Sequence, residues 1–142
     1  MPDFPFELPS QLRALIALGI WPARVHRDCV KAFAPDENEL ELSKPEHFRT
    51  VGSYLRDGRG LSPAQWAVHD IDPERTLLIA DFELGSDSGI ALDYRDDANE
   101  PSVIRLVWPS GHGQPNRWLE VAPTFDAFWA MIRLDSRPTP DR

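Results

Sequence analysis

The chain has one cysteine, Cys29, among 142 residues. No internal disulfide can form, and neither a Cys-x-x-Cys zinc knuckle nor a redox pair is available. That usage fits a reducing compartment. Basic residues are also scarce: 15 Lys and Arg stand against 23 Asp and Glu, a formal net charge of −8, with an isoelectric point near 4.9. The average field therefore repels phosphate backbones, which attract basic proteins through counterion release, and nucleic acid is not the expected partner. Long apolar runs are missing as well. The longest apolar-leaning stretch, Leu12 to Trp21, is broken by Arg13 and Gly19 and falls short of the roughly 20 residues that span a bilayer. No membrane association is expected. The opening Met-Pro-Asp-Phe-Pro-Phe-Glu has neither the basic start nor the apolar core of a secretory signal, so the expected location is cytoplasmic.

Catalytic signatures are absent in the same way. Neither Gly-x-x-x-x-Gly-Lys nor Gly-x-Gly-x-x-Gly occurs, which removes the common phosphate cradles. Gly85-Ser86-Asp87-Ser88-Gly89 has the outline of a nucleophile elbow, but its centre is Asp87 and it precedes a strand rather than a helix. A hairpin turn is the expected form, and a serine-protease-like triad is rejected. His26, His47, His69 and His112 are dispersed, without the helix spacing or the cysteines that zinc requires. No cofactor, no resident metal and no enzymatic activity are expected.

What is present is a core: 42% of the residues are hydrophobic, enough at this length for one domain without staples. Leu12, Leu15 and Ile16 have helical spacing after Pro9, with Ser10 as the expected cap and Gly19 as the stop. Val25, Cys29, Val30 and Phe33 suggest a short amphipathic piece, and Leu40-Glu41-Leu42 a short strand. Phe48, Val51 and Leu55 predict a second helix over residues 45–56, ended by Asp57-Gly58-Arg59-Gly60.

The pattern then changes from helical to alternating. Thr76 to Phe82 reads as a covered central strand, with Leu77 and Ile79 on one side and Leu78, Ala80 and Phe82 on the other. Gly89 to Tyr94 reads as its antiparallel neighbour across a Leu84–Ser88 hairpin loop. Ser102 to Trp108 sets Ile104, Leu106 and Trp108 against Arg105. After a glycine-rich loop, Arg117 to Ala122 supplies a fourth strand. Thr124 is a ready N-cap, Asp126 suits the first turn, and Phe125, Phe128, Trp129 and Ile132 form one apolar stripe, so a terminal helix should dock on the sheet. The expected fold class is α+β: a mostly antiparallel or mixed sheet of about 4–6 strands with N-terminal helices and a C-terminal helix packed on it. Residues 1–134 are expected to form the domain and 135–142 a disordered tail.

The block Ile79-Ala80-Asp81-Phe82-Glu83-Leu84-Gly85-Ser86-Asp87-Ser88-Gly89-Ile90-Ala91-Leu92-Asp93-Tyr94-Arg95 resembles the SUKH superfamily, in the branch named for the yeast Smi/Knr cell-wall assembly regulators. The opening Leu8 to Leu15 and the closing Val121 to Phe128 look like that family's start and finish. The loop from Pro109 to Pro115 departs from the pattern in being glycine-rich. The resemblance implies a mixed sheet backed by helices, a cytosolic setting, no catalytic residues and a role as a binding protein. In bacteria such proteins commonly neutralise a toxin domain, and the yeast branch acts in regulation. The implied partner is a protein, of which a basic toxin domain would suit the acidic balance.

Candidate contact residues are the carboxylates Asp81, Glu83, Asp87, Asp93, Asp96 and Asp97, which lie at strand ends and in adjoining loops, a placement that lets several of them converge on one rim. Trp66, in a loop after Ser62-Pro63, is the candidate aromatic anchor. Two other readings stay open. One is a small enzyme or an Mg²⁺- or Ca²⁺-dependent site at the acidic rim; the other is a module that self-assembles through a sheet edge. Short Asp-rich turns also commonly bond their own backbone amides, which needs no partner at all.

Overall fold

In the computed structural model, which describes residues 4–35, 37, 39–56, 71–82, 89–107 and 117–136, Ser10–Ala17 forms helix α1 and Arg27–Phe33 forms α2. Ser10 does not cap α1; it is the first helical residue, and Pro9 holds the cap position without a side-chain hydrogen bond. Gly19 follows with φ 73°. The α2 cap is made by an imidazole: Asp28 N–H donates to His26 Nδ1 at 3.0 Å. Cys29 is buried in α2, where its thiol donates to the Ile132 carbonyl at 3.3 Å.

The predicted helix over 45–56 is corrected into three pieces. A 3-10 turn covers Pro45–His47, strand β2 covers Arg49–Thr50, and only Val51–Arg56 is helical, as α3. Strand β1, Glu41–Leu42, and β2 both pair antiparallel with β3, Thr76–Asp81, so two short strands share one edge of it. The spacing of Phe48 and Val51 has a different cause from helix amphipathicity. Phe48 enters the main core, whereas Val51 joins a smaller cluster elsewhere. The ladder with β3 has overridden local propensity between them.

Beyond β3, strands β4 (Gly89–Asp93), β5 (Ser102–Val107) and β6 (Arg117–Ala122) follow in order, each antiparallel to the one before. The described sheet has six strands in the order β1-β3-β4-β5-β6, with β2 also on β3. The β3–β4 register shifts between Leu78 and Ala80. That bulge resets the alternation expected for β3: Leu77, Ile79, Ala80 and Phe82 all belong to the main core, leaving Leu78 against the second cluster. One inserted residue is sufficient for such a change of side. It also brings backbone close to Gly89, where an added Cβ would lie 2.8 Å from the Ala80 carbonyl oxygen.

Helix α4, Phe125–Ser136, begins at Thr124, whose hydroxyl accepts the Ala127 N–H at 3.2 Å. The expected stripe of Phe125, Phe128, Trp129 and Ile132 is buried. The helix runs two residues into the expected tail, and residues 137–142 lie outside those described. With α1 and α2 it covers Ile90, Leu92, Tyr94 and Val103 on one face of the sheet. Each such fully buried apolar side chain contributes about 1.5–3 kcal/mol. On the opposite face, Ala91, Ile104, Leu106 and Trp118 pack with Val51 of α3 and Ile71. The result is the expected α+β architecture. Among the described residues no helix is long and apolar enough to cross a membrane.

Candidate functional site

Among the described acidic residues picked from the sequence, Asp81 lies apart from Asp93, Asp96 and Asp97. Asp81 closes β3 opposite Gly89, while Asp93 closes β4 opposite Thr76. The two residues therefore sit at opposite ends of one strand pair, roughly 14 Å apart along the strand direction at about 3.4 Å per residue. Asp96 and Asp97 follow Asp93 at its end. Glu83, Asp87 and Trp66 lie outside the described residues, as do the hairpin loop, the loop around His112, His69 and Trp108. Among the described residues, no three His, Cys, Asp or Glu side chains are grouped to hold a metal ion.

Asp93 differs from the surface contact expected of it. Only 6% exposed, it receives the Arg95 guanidinium through Nη2 at 2.8 Å and Nε at 3.1 Å, and the Arg95 backbone N–H at 3.1 Å. A bidentate charge-assisted pair of this kind ties the residue to the fold. Asp96 and Asp97 are exposed, as are Arg95 and residues 98–100. Asp97 Oδ1 accepts the backbone N–H groups of Asn99 at 2.8 Å and Glu100 at 3.0 Å. Those two bonds, Glu100's the stronger influence, hold its carboxyl below the ordinary carboxylate range, because both favour the charged form. The turn thus presents Asp96, Asp97 and Glu100 together, with one carboxylate fixed in place.

A second feature lies at the same end of the sheet and was not singled out from the sequence. The segment Phe4-Pro5-Phe6 folds over Tyr94. The Phe6 ring stacks on Tyr94 with centroids 5.2 Å apart and planes at 14°, and Phe4 stands edge-on to both rings. The Tyr94 hydroxyl donates to the Glu7 carbonyl at 2.9 Å, and burial pushes its ionisation above the ordinary phenol value. Between this strap and the β2–α3 corner runs a groove of about 480 Å³.

The groove walls include Phe4, Phe6 and Phe48 together with three arginines, Arg49, Arg56 and Arg75, and one carboxylate, Glu74. Arg49 Nη2 donates to the Ser53 carbonyl at 3.0 Å and its hydroxyl at 3.1 Å. Arg56 Nη1 meets Glu74 Oε2 at 2.6 Å. Arg75 lies over the Phe6 ring at 5.7 Å and faces Asp72 at 3.5 Å. In a chain of net charge −8, this concavity runs against the overall sign. The aromatic pair flanking Pro5 was the one sequence signal for it; the arginines come from segments too far apart in the chain to be associated by pattern.

Compared with known protein families, with characterised proteins and with solved structures, the chain matches none.

Proposed function

We propose that the chain is a non-catalytic protein-binding domain, of the immunity or regulatory kind that the SUKH resemblance implies, acting in the cytoplasm on a partner with a basic surface. The observation that carries this reading is the exposed turn after β4, where Asp96, Asp97 and Glu100 stand together and Asp97 is locked by two backbone amides. A fixed, persistently ionised carboxylate costs little to order on binding, and a compact acidic patch steers basic partners and rejects acidic ones. The resemblance adds a second support of a different kind. Its residues form the β3–β4 hairpin, so they define the scaffold that holds this turn.

The test compares the native chain with a variant carrying Asp96→Asn, Asp97→Asn and Glu100→Gln as baits in affinity capture from the native cytoplasm, read by mass spectrometry. A protein retained by the native bait, lost by the variant and released by salt is the expected outcome. A bait that retains no specific protein over several salt concentrations would sink the reading.

Self-assembly is a second reading with an observation of its own. Among the described strands β6 ends the sheet, pairing only with β5, and Leu119 on it is 38% exposed. Open edges pair readily with other strands. Light scattering that gives a strict monomer at all concentrations would remove it. The acidic-rim reading, enzymatic or metal-dependent, does not draw Asp81 and Asp93 into one site, because they stand at opposite ends of the β3–β4 pair.

A further inference from the structure

The arginine groove calls for an occupant different from a basic protein, and it lies on residues the acidic turn does not use. Arg56 and Glu74 pair across it with both side chains more than half exposed, at 65% and 59%. Exposed pairs of this kind contribute little to stability and exchange readily with solutes. Glu74 nonetheless holds a defined place, since its carboxylate lies where a Cβ on Gly52 would be. The missing side chain at Gly52 leaves room for an acid group directly beside the Arg56 guanidinium. Arg75, stacked over Phe6 at 5.7 Å, adds a second cation at the apolar wall, where a guanidinium favours both the ring face and an oxyanion.

We propose that the groove is a binding site for a small organic anion with a flat apolar body, its acid group taken by Arg56 and Arg75 in place of the Glu74 carboxylate. The flat body lies between Phe4 and Phe6 of the strap and Phe48 of the corner. A volume of about 480 Å³ suits a small molecule rather than a protein surface. Carboxylate, phosphate and sulfonate share the chemistry that matters, an oxyanion with at least two acceptor oxygens, able to accept two guanidinium forks. Glu74 acts as the chain's own occupant of the acid position, so it competes with the ligand.

The probe is 1-anilinonaphthalene-8-sulfonate, an aromatic anion, titrated by fluorescence against the folded chain beside its neutral relative N-phenyl-1-naphthylamine. The native chain should bind the anion at one site and more tightly than the neutral probe. The double variant R56Q/R75Q should weaken the anion on the order of tenfold and leave the neutral probe unchanged. E74Q should tighten the anion by removing its competitor. Equal binding of the two probes by the native chain overturns the proposal, as does a folded R56Q/R75Q that binds the anion like the native chain. Should R56Q/R75Q lose its native circular dichroism, E74Q decides: unchanged or weaker binding of the anion overturns the proposal, and tighter binding supports it.

Discussion

On the helix-covered face of the sheet the core carries a ring network: Trp21, Phe33, Phe48, Phe82, Phe125, Phe128 and Trp129 are linked by ring contacts. On the other face the described cluster is mostly aliphatic, with Val51, Ile71, Ala91, Ile104 and Leu106 around Trp118. The difference follows from what each face must meet. Three helices approach the first face, and large rigid rings fill the uneven space between a twisted sheet and crossing helices. The second face meets the short helix α3, whose Val51 needs only shallow, small neighbours such as Ala91. Rings bury more area per residue and gain further from edge-on and tilted pairing, so stability should be concentrated on the helix side.

Phe128→Ala probes that asymmetry at its strongest point. Phe128 is fully buried and pairs with Phe33 and Phe125; removing the ring should cost about 3–5 kcal/mol, close to the whole stability of many domains. Leu106→Ala on the opposite face removes a side chain that is 1% exposed, and should cost about 2–3 kcal/mol, at the low end for this exchange. Urea unfolding of both variants, with slopes compared as well as midpoints, measures the pair. A Leu106 loss equal to or above that of Phe128 would break the comparison.

Much of this asymmetry can be read in the sequence, and the parts that cannot have physical causes. The stripe Phe125-Phe128-Trp129-Ile132 and the alternation of Ile104 and Leu106 around Arg105 are local patterns, and both became α4 and β5 as expected. The bulge at Leu78–Ala80 is invisible to alternation, since nothing in Leu77-Leu78-Ile79-Ala80 marks an extra residue. It changed the face of Ala80 and Phe82. Over residues 45–56, the three-residue step from Phe48 to Val51 suited a helix equally well, and the outcome was decided by pairing of Arg49 with Leu78 and Thr50 with Leu77, a contact across the chain. The acidic residues teach the reverse. Their separation was implied by the hairpin itself, because residues closing its two strands stand at its two ends. The groove was beyond any local reading, being assembled from segments near residues 4, 50 and 75.

Tyr94 sharpens the comparison at the border of the helix face. Tyr94→Phe keeps the ring that Phe4 and Phe6 pack on and removes only the bond to the Glu7 carbonyl, for an expected loss of about 1 kcal/mol. The effect should depend on pH. Folded Tyr94 keeps its proton above the ordinary value of 10.0, whereas the unfolded chain releases it there, so the folded state binds more protons and stability falls as pH rises past about 10. The variant should lack that alkaline loss. Equal alkaline slopes in the two chains, measured by denaturant unfolding, would show that burial of the hydroxyl is not what ties the strap down.

The smallest effect is expected where neither core reaches, at the turn carrying Asp97. Its carboxyl is held below the ordinary value by the Glu100 and Asn99 amides, bonds the unfolded chain does not keep. The unfolded state therefore binds more protons in the window just below the ordinary value of 3.8, and the contribution to stability is fully present above that window and lost as pH falls through the folded value. Asp97→Asn can keep both bonds through its amide oxygen but has no proton to gain. The gap between native and variant chains should be constant from neutral pH down to about pH 5, then narrow on further acidification. A gap that stays constant to pH 2 would mean that the turn is held by its backbone alone. The carboxylate offered to a partner would then not be fixed by its own charge, and the case for the turn as a rigid contact would weaken with it.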